Sequence, residues 1–332
     1  MVYAMNYEVL TEKKQQLDRF RPLPDILVRN LEDWFRVELT YTSNAIEGNT
    51  LTRRETALVV EKGLTVGGRS LAEHLEATNH ACALDWVQAQ VNRKPGSLKQ
   101  RDILQIHNMI LRGIDNTHAG CYRTVAVRIS GSTVVLPNPI KVPRLMTELI
   151  KWIKTADKIH PIDLAAEAHY RLVSIHPFVD GNGRTARLMM NMLLLMAGYP
   201  PAIIAKRDRL AYITALEKAQ TGGSKDDYFK LIVKAINRSL DIYLKAAQGE
   251  SAVIDYETKL LKIGELAKKV RENNSTIRYW TKEGLLEVAE VPEAGYQLYE
   301  SDMIKRVEQI HAMKKKRLTL QEIRKEFYEG GD

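Results

Sequence analysis

The sequence contains little that would staple, metallate or anchor it. Two cysteines in 332 residues, Cys82 and Cys121, give neither a disulfide framework nor a metal-ligand spacing. They read as small buried or partly buried thiols in a reducing compartment. The N-terminus lacks the apolar core of a signal peptide. The longest apolar run, Leu188 to Ala197, is interrupted by Asn191 and stops before Gly198 and Pro200. A soluble cytoplasmic protein with no membrane segment is therefore expected. Aromatic residues are sparse at 7%, yet the total apolar content of 45% is ample for a packed core, and the length predicts two or three units. Concentrated charge is also missing. The formal net charge is +8, but residues 261–332 hold 14 Lys/Arg against 13 Asp/Glu, so the high isoelectric point alone says little about nucleic acid.

Against that plain background one run is dense in chemistry: His176-Pro177-Phe178-Val179-Asp180-Gly181-Asn182-Gly183-Arg184-Thr185-Ala186-Arg187. It follows an apolar-periodic segment, Leu164 to Ile175, and Pro177 disfavours helix at the residue before it, which puts His176 on a helix-to-loop junction. Gly181-Asn182-Gly183 permits turn conformations that a Cβ resists, and a second apolar helix follows through Leu188, Met189, Met192, Leu193 and Met196. Glycine-rich backbone at a helix N-terminus is an anion site, because free N–H donors and the positive end of the helix dipole converge there. Arg184 and Arg187, three residues apart, add positive charge on one face. A lone histidine or a lone glycine turn is usually structural. A base (His176), a hard-metal ligand (Asp180), an anion cradle and two arginines within twelve residues form the parts list of phosphate-ester chemistry.

This run resembles the Fic-domain signature, H-x-F-x-[D/E]-G-N-G-R-x-x-R, with every specified position present. The resemblance covers roughly residues 25–245 and is closest to protein adenylyltransferases with an N-terminal inhibitory helix. It implies that AMP is transferred from ATP to a Ser, Thr or Tyr hydroxyl of a protein. His176 would be the catalytic base and Asp180 the ligand of Mg²⁺. Gly181, Asn182, Gly183, Arg184 and Arg187 would bind nucleotide phosphates, and Tyr212 and Gln220 would line the adenine pocket, although relatives often carry Asn where Gln220 stands.

A second stretch, Thr42 to Thr50, reads as a helix C-terminus, with Gly48 ending it in a left-handed turn. Glu47 then faces the negative end of its own helix dipole, an unfavourable placement by roughly 0.3–1 kcal/mol that calls for a cationic partner. Ser43-x-x-x-Glu47-Gly48 is similar to the [S/T]-x-x-x-E-[G/N] inhibitory motif of autoinhibited Fic proteins. That likeness implies an inhibitory helix over about 33–48, whose Glu47 pairs with Arg187 and forces a nonproductive nucleotide pose.

The scaffold signals are architectural. Helical apolar spacing runs from about 7 to 40, and capping boxes are expected at Thr52/Glu55, Ser70/Glu73 and Ser97/Gln100. His74, His80 and His107 lack metal-pair spacing and are assigned to surface or core. Residues 122–139 turn β-prone (Val125, Val127, Ile129, then Gly131-Ser132, then Val134, Val135, Leu136) and predict a hairpin. Its place resembles the Fic flap, on which a target segment docks as an added strand. Helices are expected at about 142–156 and 163–175, and a linker at 246–251.

Beyond the linker, Ile263, Leu266, Ala267 and Val270, followed by Asn273-Asn274-Ser275 and by Ile277 and Trp280, suggest two short helices joined by a tight turn. Spacing alone does not separate a helix-turn-helix from a packed helical hairpin. The tail resembles the MerR-type winged helix-turn-helix through Ile263-Gly264-Glu265-Leu266-Ala267, Thr276 to Trp280, Gly284-Leu285-Leu286 and Gly295 to Tyr299. That implies DNA contact through 262–300, with Thr276 and Arg278 at the groove. Residues 262–282 carry six Lys/Arg against two Asp/Glu, in keeping with it. Gln297 departs from the usual wing arginine, and no long MerR-type dimerisation helix is expected after the wing.

The expected fold class is thus mainly α: a Fic-type helical core with a β-hairpin flap and a small C-terminal winged helix-turn-helix. The expected domains are 1–115 (helical region with the inhibitory helix), 116–248 (catalytic core) and 251–332 (DNA-binding module). A protein adenylyltransferase using ATP and Mg²⁺, which takes a docked protein target or itself as substrate and can form a homodimer, is the leading reading. Two others stay open: a de-AMPylase that uses Glu47, and a DNA-binding regulator whose Fic domain senses nucleotide.

Overall fold

A computed structural model describes residues 7–156, 158–250, 260–286, 288, 295–299 and 303–328. The chain forms two compact units, 1–252 and 253–332. It is mainly helical, as expected.

The larger unit opens with α1 (Glu8–Asp18) and α2 (Asp25–Ile46). These replace the single helix expected over about 7–40. Pro22 and Pro24 fall in the middle of that span, and each removes a backbone donor and clashes with the preceding turn, so the chain breaks despite its apolar periodicity. α3 (Arg53–Lys62) and α4 (Leu71–Gln88) start at the two expected capping boxes, where Thr52 and Ser70 accept the N–H groups of Glu55 and Glu73. The third box forms elsewhere. α5 (Gln100–Leu111) is capped at Lys99, whose N–H reaches Asp102 Oδ2 at 2.9 Å, while Ser97 closes a short 3₁₀ turn begun by Pro95. Pro95 presets that turn, and the α-helix begins only after it.

α6 (Val142–Lys154), α7 (Pro161–Ile175), α8 (Asn182–Met196), α9 (Arg209–Gln220) and α10 (Asp226–Ala247) complete the unit. α7 and α8 pack against each other at its centre; α4 and α5 cover α8, α6 and α10 flank α7, and α2 lies against α4. From Arg184 to Leu194 every residue of α8 is buried, which is why its sequence is apolar nearly all round. α10 runs on to Ala247, through the start of the expected linker; residue 251, where the C-terminal unit was expected to begin, lies outside the described residues.

Residues 122–139 do turn back on themselves, with Ser132 N–H on Ile129 O and Gly131 at φ +76°. The expected ladder between the two arms is not formed. The segment is tied instead to its surroundings: the Arg123 guanidinium reaches Val125 O, Pro137 O and His176 O, and Glu217 on α9 takes the turn. A backbone whose polar groups find partners outside need not pair with itself. Both cysteines are exposed rather than buried, because Cys82 lies on the outer face of α4 and Cys121 in the loop after α5.

The smaller unit contains β1 (Leu261–Lys262), α11 (Ile263–Val270), α12 (Asn274–Lys282), β2 (Leu298–Tyr299), α13 (Met303–Lys315) and α14 (Leu320–Tyr328). β1 and β2 pair antiparallel, Leu261 opposite Tyr299. Leu266, Ile277, Trp280, Leu285, Tyr299, Val307 and Ile310 form its core. Among the described residues no helix is long and apolar enough to cross a membrane.

Candidate active site

α7 ends at His176, which takes a left-handed conformation (φ 49°, ψ 61°) that a residue with a Cβ seldom adopts. Pro177 forbids further helix, and Arg123 fastens the junction from outside: its N–H donates to Pro177 O at 2.9 Å and its Nε to His176 O at 2.8 Å. His176 Nδ1 lies 3.3 Å from Val173 O, a partner that can only accept, so the proton sits on Nδ1 and Nε2 carries the free lone pair. Burial depresses the His176 pKa and the Arg123 charge adds to this, outweighing the opposing Val173 bond and the Glu47 and Asp180 charges. The imidazole is neutral at pH 7.

The loop beyond is pinned from within. Asn182 Oδ1 accepts the Phe178 N–H at 2.9 Å and its Nδ2 donates to Phe178 O at 3.0 Å. His107 supports it from α5: its ring stacks on Phe178 at 3.6 Å, its Nδ1 accepts the Gly120 N–H, and its Nε2 donates to Asp180 O at 3.0 Å. The sequence assigns His107 to surface or core, and it is buried, but no spacing rule reveals that it braces this loop. Gly181 caps α8 at φ +73° with its Cα face against the His107 ring. The first-turn amides of α8 have no acceptor within their own helix.

Glu47 occupies that position. It caps the C-terminus of α2, as the sequence predicts, and its Oε1 lies 2.7 Å from Arg187 Nη2. A Cβ on Gly183 would stand 2.2 Å from the same oxygen, so the carboxylate rests on the bare Gly183 backbone at the N-terminus of α8. The unfavourable dipole of α2 is thereby offset by the favourable dipole of α8 and by Arg187. Arg209 Nε closes the α2 terminus on Ile46 O at 2.7 Å. Burial pushes the Glu47 pKa up, but Arg187, Arg184 and Arg209 outweigh it, and the net shift is downward. Ser43 completes the grip: its Oγ accepts Arg187 Nε at 3.0 Å and its carbonyl accepts Nη2 at 2.9 Å. The Arg187 side chain is only 6% exposed, whereas that of Glu47 is 38% exposed.

Arg184 is held by two carboxylates, Glu76 at 2.9 Å and Asp180 at 3.2 Å. Glu76 also accepts from Asn49 Nδ2, which ties the turn after Glu47 to Arg184. The Asp180 side chain is 68% exposed. Among the described residues no three His, Cys, Asp or Glu converge on a metal site. A lone exposed carboxylate still suits Mg²⁺, which is commonly held by one or two carboxylates together with substrate phosphates.

Tyr212 sits deep rather than at the surface, 2% exposed, with its hydroxyl between Arg187 and His169. Gln220 Nε2 donates to Ser174 Oγ at 3.3 Å. In the smaller unit Asn273 caps α12 by accepting the Thr276 N–H at 2.7 Å, which occupies Thr276 at the helix start, while Arg278 and Tyr279 are exposed. Gln297 turns inward and accepts from the Tyr299 hydroxyl at 2.8 Å.

Fold and site together define a class: a helical bundle whose central helix carries two arginines behind a glycine-rich N-terminal turn, with a neutral histidine at the junction before it. The Fic/DOC family model matches residues 97–194, and the MerR HTH family regulatory protein model matches residues 261–329. The chain is 40% identical over 206 residues to the protein adenylyltransferase Fic of Nematostella vectensis, covering 61% of this chain and 48% of that protein. It superposes on a Fic domain containing signaling protein from Bacteroides thetaiotaomicron with a TM-score of 0.66 at 30% identity, covering 73% of this chain and 98% of that one. Fic-1 from C. elegans gives 0.65 at 30%, covering 73% and 72%. The chain belongs to the Fic/DOC family. It spans about half the length of the curated relatives it matches.

Proposed function

We propose that the chain is a protein adenylyltransferase that transfers AMP from ATP to a Ser, Thr or Tyr hydroxyl of a protein and is held inactive by Glu47. In this reading the helical region 1–115 supplies the inhibitor, 116–248 the catalytic core and 251–332 an attached module. The observation that carries it is the Glu47 carboxylate seated on Gly183 and Arg187, the place an anionic phosphate would take; the names of the curated relatives support the same activity. His176 Nε2 accepts the proton of the attacking hydroxyl, whose oxygen bonds to the α-phosphorus as pyrophosphate leaves. The first-turn amides of α8, with Arg184, receive the inner phosphates, and Arg187 the terminal one. Asp180 would hold Mg²⁺, which would offset charge on the phosphates. The exposed face of 122–139, where Val135 is 94% exposed, offers the target an apolar edge.

The test uses the purified Glu47→Gly chain, which is free of the inhibitory carboxylate, with a proteome extract and ATP labelled at either end. Label at the α-phosphate should enter protein and label at the γ-phosphate should not, with His176→Ala silent. Transfer of the γ-label would mean a kinase and end this reading.

The MerR match supports a second role for the smaller unit, in which Arg278 on α12 contacts DNA. Duplexes selected from a random pool by the full chain should share a sequence and be bound more weakly by Arg278→Ala. Equal retention of all duplexes by both proteins would count against it.

A further inference from the structure

Arg187 is gripped at its open end by Glu47 and Ser43. From its buried side runs a second set of contacts, made by one group from each of three other helices. The Tyr212 hydroxyl of α9 lies beside the Arg187 guanidinium, whose N–H groups it can accept. That hydroxyl lies 2.8 Å from His169 Nε2 on α7, and His169 Nδ1 lies 2.8 Å from the Tyr228 hydroxyl of α10. The Tyr228 hydroxyl ends the series 2.9 Å from Ala166 O. All four side chains are buried.

The two ends dictate the order of the protons. A guanidinium can only donate and a backbone carbonyl can only accept. Each hydroxyl has one proton, so Tyr228 must donate to Ala166 O and accept from His169 Nδ1–H. His169 Nε2 is then an acceptor, filled by the Tyr212 proton, and the Tyr212 lone pairs are free for Arg187. No other arrangement satisfies every link. A second proton on His169 would strand the Tyr212 O–H without an acceptor. Burial, with the Arg187 charge, accordingly holds the imidazole pKa down to about 3. Polar groups this deep are costly unless fully bonded, and a fully bonded network rigidifies what it holds.

We propose that Tyr212, His169 and Tyr228 form a positioning relay that fixes the Arg187 guanidinium for the terminal phosphate of ATP. The inference rests on the proposed role of Arg187. It gives Tyr212 a task at the arginine rather than at adenine, and brings in His169 and Tyr228, which sequence motifs do not mark. None of the three relay groups is a catalytic residue.

The experiment measures ATP and ADP binding by calorimetry to the full chain carrying Glu47→Gly, which frees Arg187 from its competitor. ADP lacks the phosphate that Arg187 would hold. Tyr212→Phe should weaken ATP about tenfold, the lower end of the loss of a hydrogen bond to a charged group, with ADP unchanged. Tyr228→Phe should act in the same direction but less, because Arg187 keeps its direct acceptor. Turnover should show the same signature: a raised KM for ATP with kcat within about threefold, as expected when ground-state and transition-state binding are lost together. A merely structural role would lower the melting temperature and leave the ATP-over-ADP preference intact, and that outcome overturns the relay. Arg187→Ala separates the two levels of inference: if it too leaves the preference intact, the phosphate role of Arg187 falls, whereas its loss there and persistence in Tyr212→Phe reject the relay alone.

Discussion

The Glu47–Arg187 contact can be weighed before it is broken. Removing the carboxylate leaves Arg187 with Ser43 Oγ and Ser43 O, and with the Tyr212 hydroxyl beside it, so the arginine keeps its pose. A charge-assisted hydrogen bond contributes about 1.5–3 kcal/mol, and the 38% exposure of Glu47 brings the figure here to about 1–2 kcal/mol. A phosphate competing for Arg187 must overcome that amount, so Glu47→Gly should raise AMP incorporation by about five- to thirtyfold. Glu47→Gln separates two contributions: it removes the charge but keeps a side chain over Gly183, and should give an intermediate rate. The measurement is α-labelled AMP incorporated per minute, with a melting curve for each protein. If a folded Glu47→Gly protein labels at the wild-type rate, the carboxylate does not restrain the site. Running the assay in reverse on AMP-modified protein tests the alternative role of Glu47: release of AMP by wild type and not by Glu47→Gly would make removal the principal activity.

Four further expectations complete the set. Label should follow the α-phosphate and vanish in His176→Ala, as read from differentially labelled ATP. The acid limb of the released enzyme should lie below the ordinary imidazole pKa near 6.5, because a base works only above its pKa and burial lowers that of His176; a pH profile of kcat/KM with its acid limb above 6.5 would contradict the geometry. Tyr212→Phe should reduce the preference for ATP over ADP, as measured by calorimetry. Selected duplexes should lose affinity for the Arg278→Ala protein, as measured by retention at fixed salt.

Whatever depends on neighbours in the chain was legible in the sequence. The junction at His176, the glycine turn before α8 and the end of α2 at Glu47 are local events, dictated by Pro177, Gly181 and Gly48. The cationic demand at Glu47 was equally plain, since a helix terminus carries its dipole wherever it is placed. Misreadings arose where two local signals competed: Pro22 and Pro24 overrode apolar periodicity, and Pro95 displaced the cap from Ser97 to Lys99. The arms at 122–139 have β-prone residues, but Arg123 and Glu217 take their polar groups, so no ladder forms.

The tertiary structure alone decided which distant groups meet. No spacing brings His107 under Phe178, Glu76 to Arg184, or Tyr212, His169 and Tyr228 into line behind Arg187, because each of these meetings joins residues on separate elements of the fold. A helix specifies its own ends and its apolar face. Which polar groups share the interior follows from how the helices pack, and that depends on all of their surfaces at once.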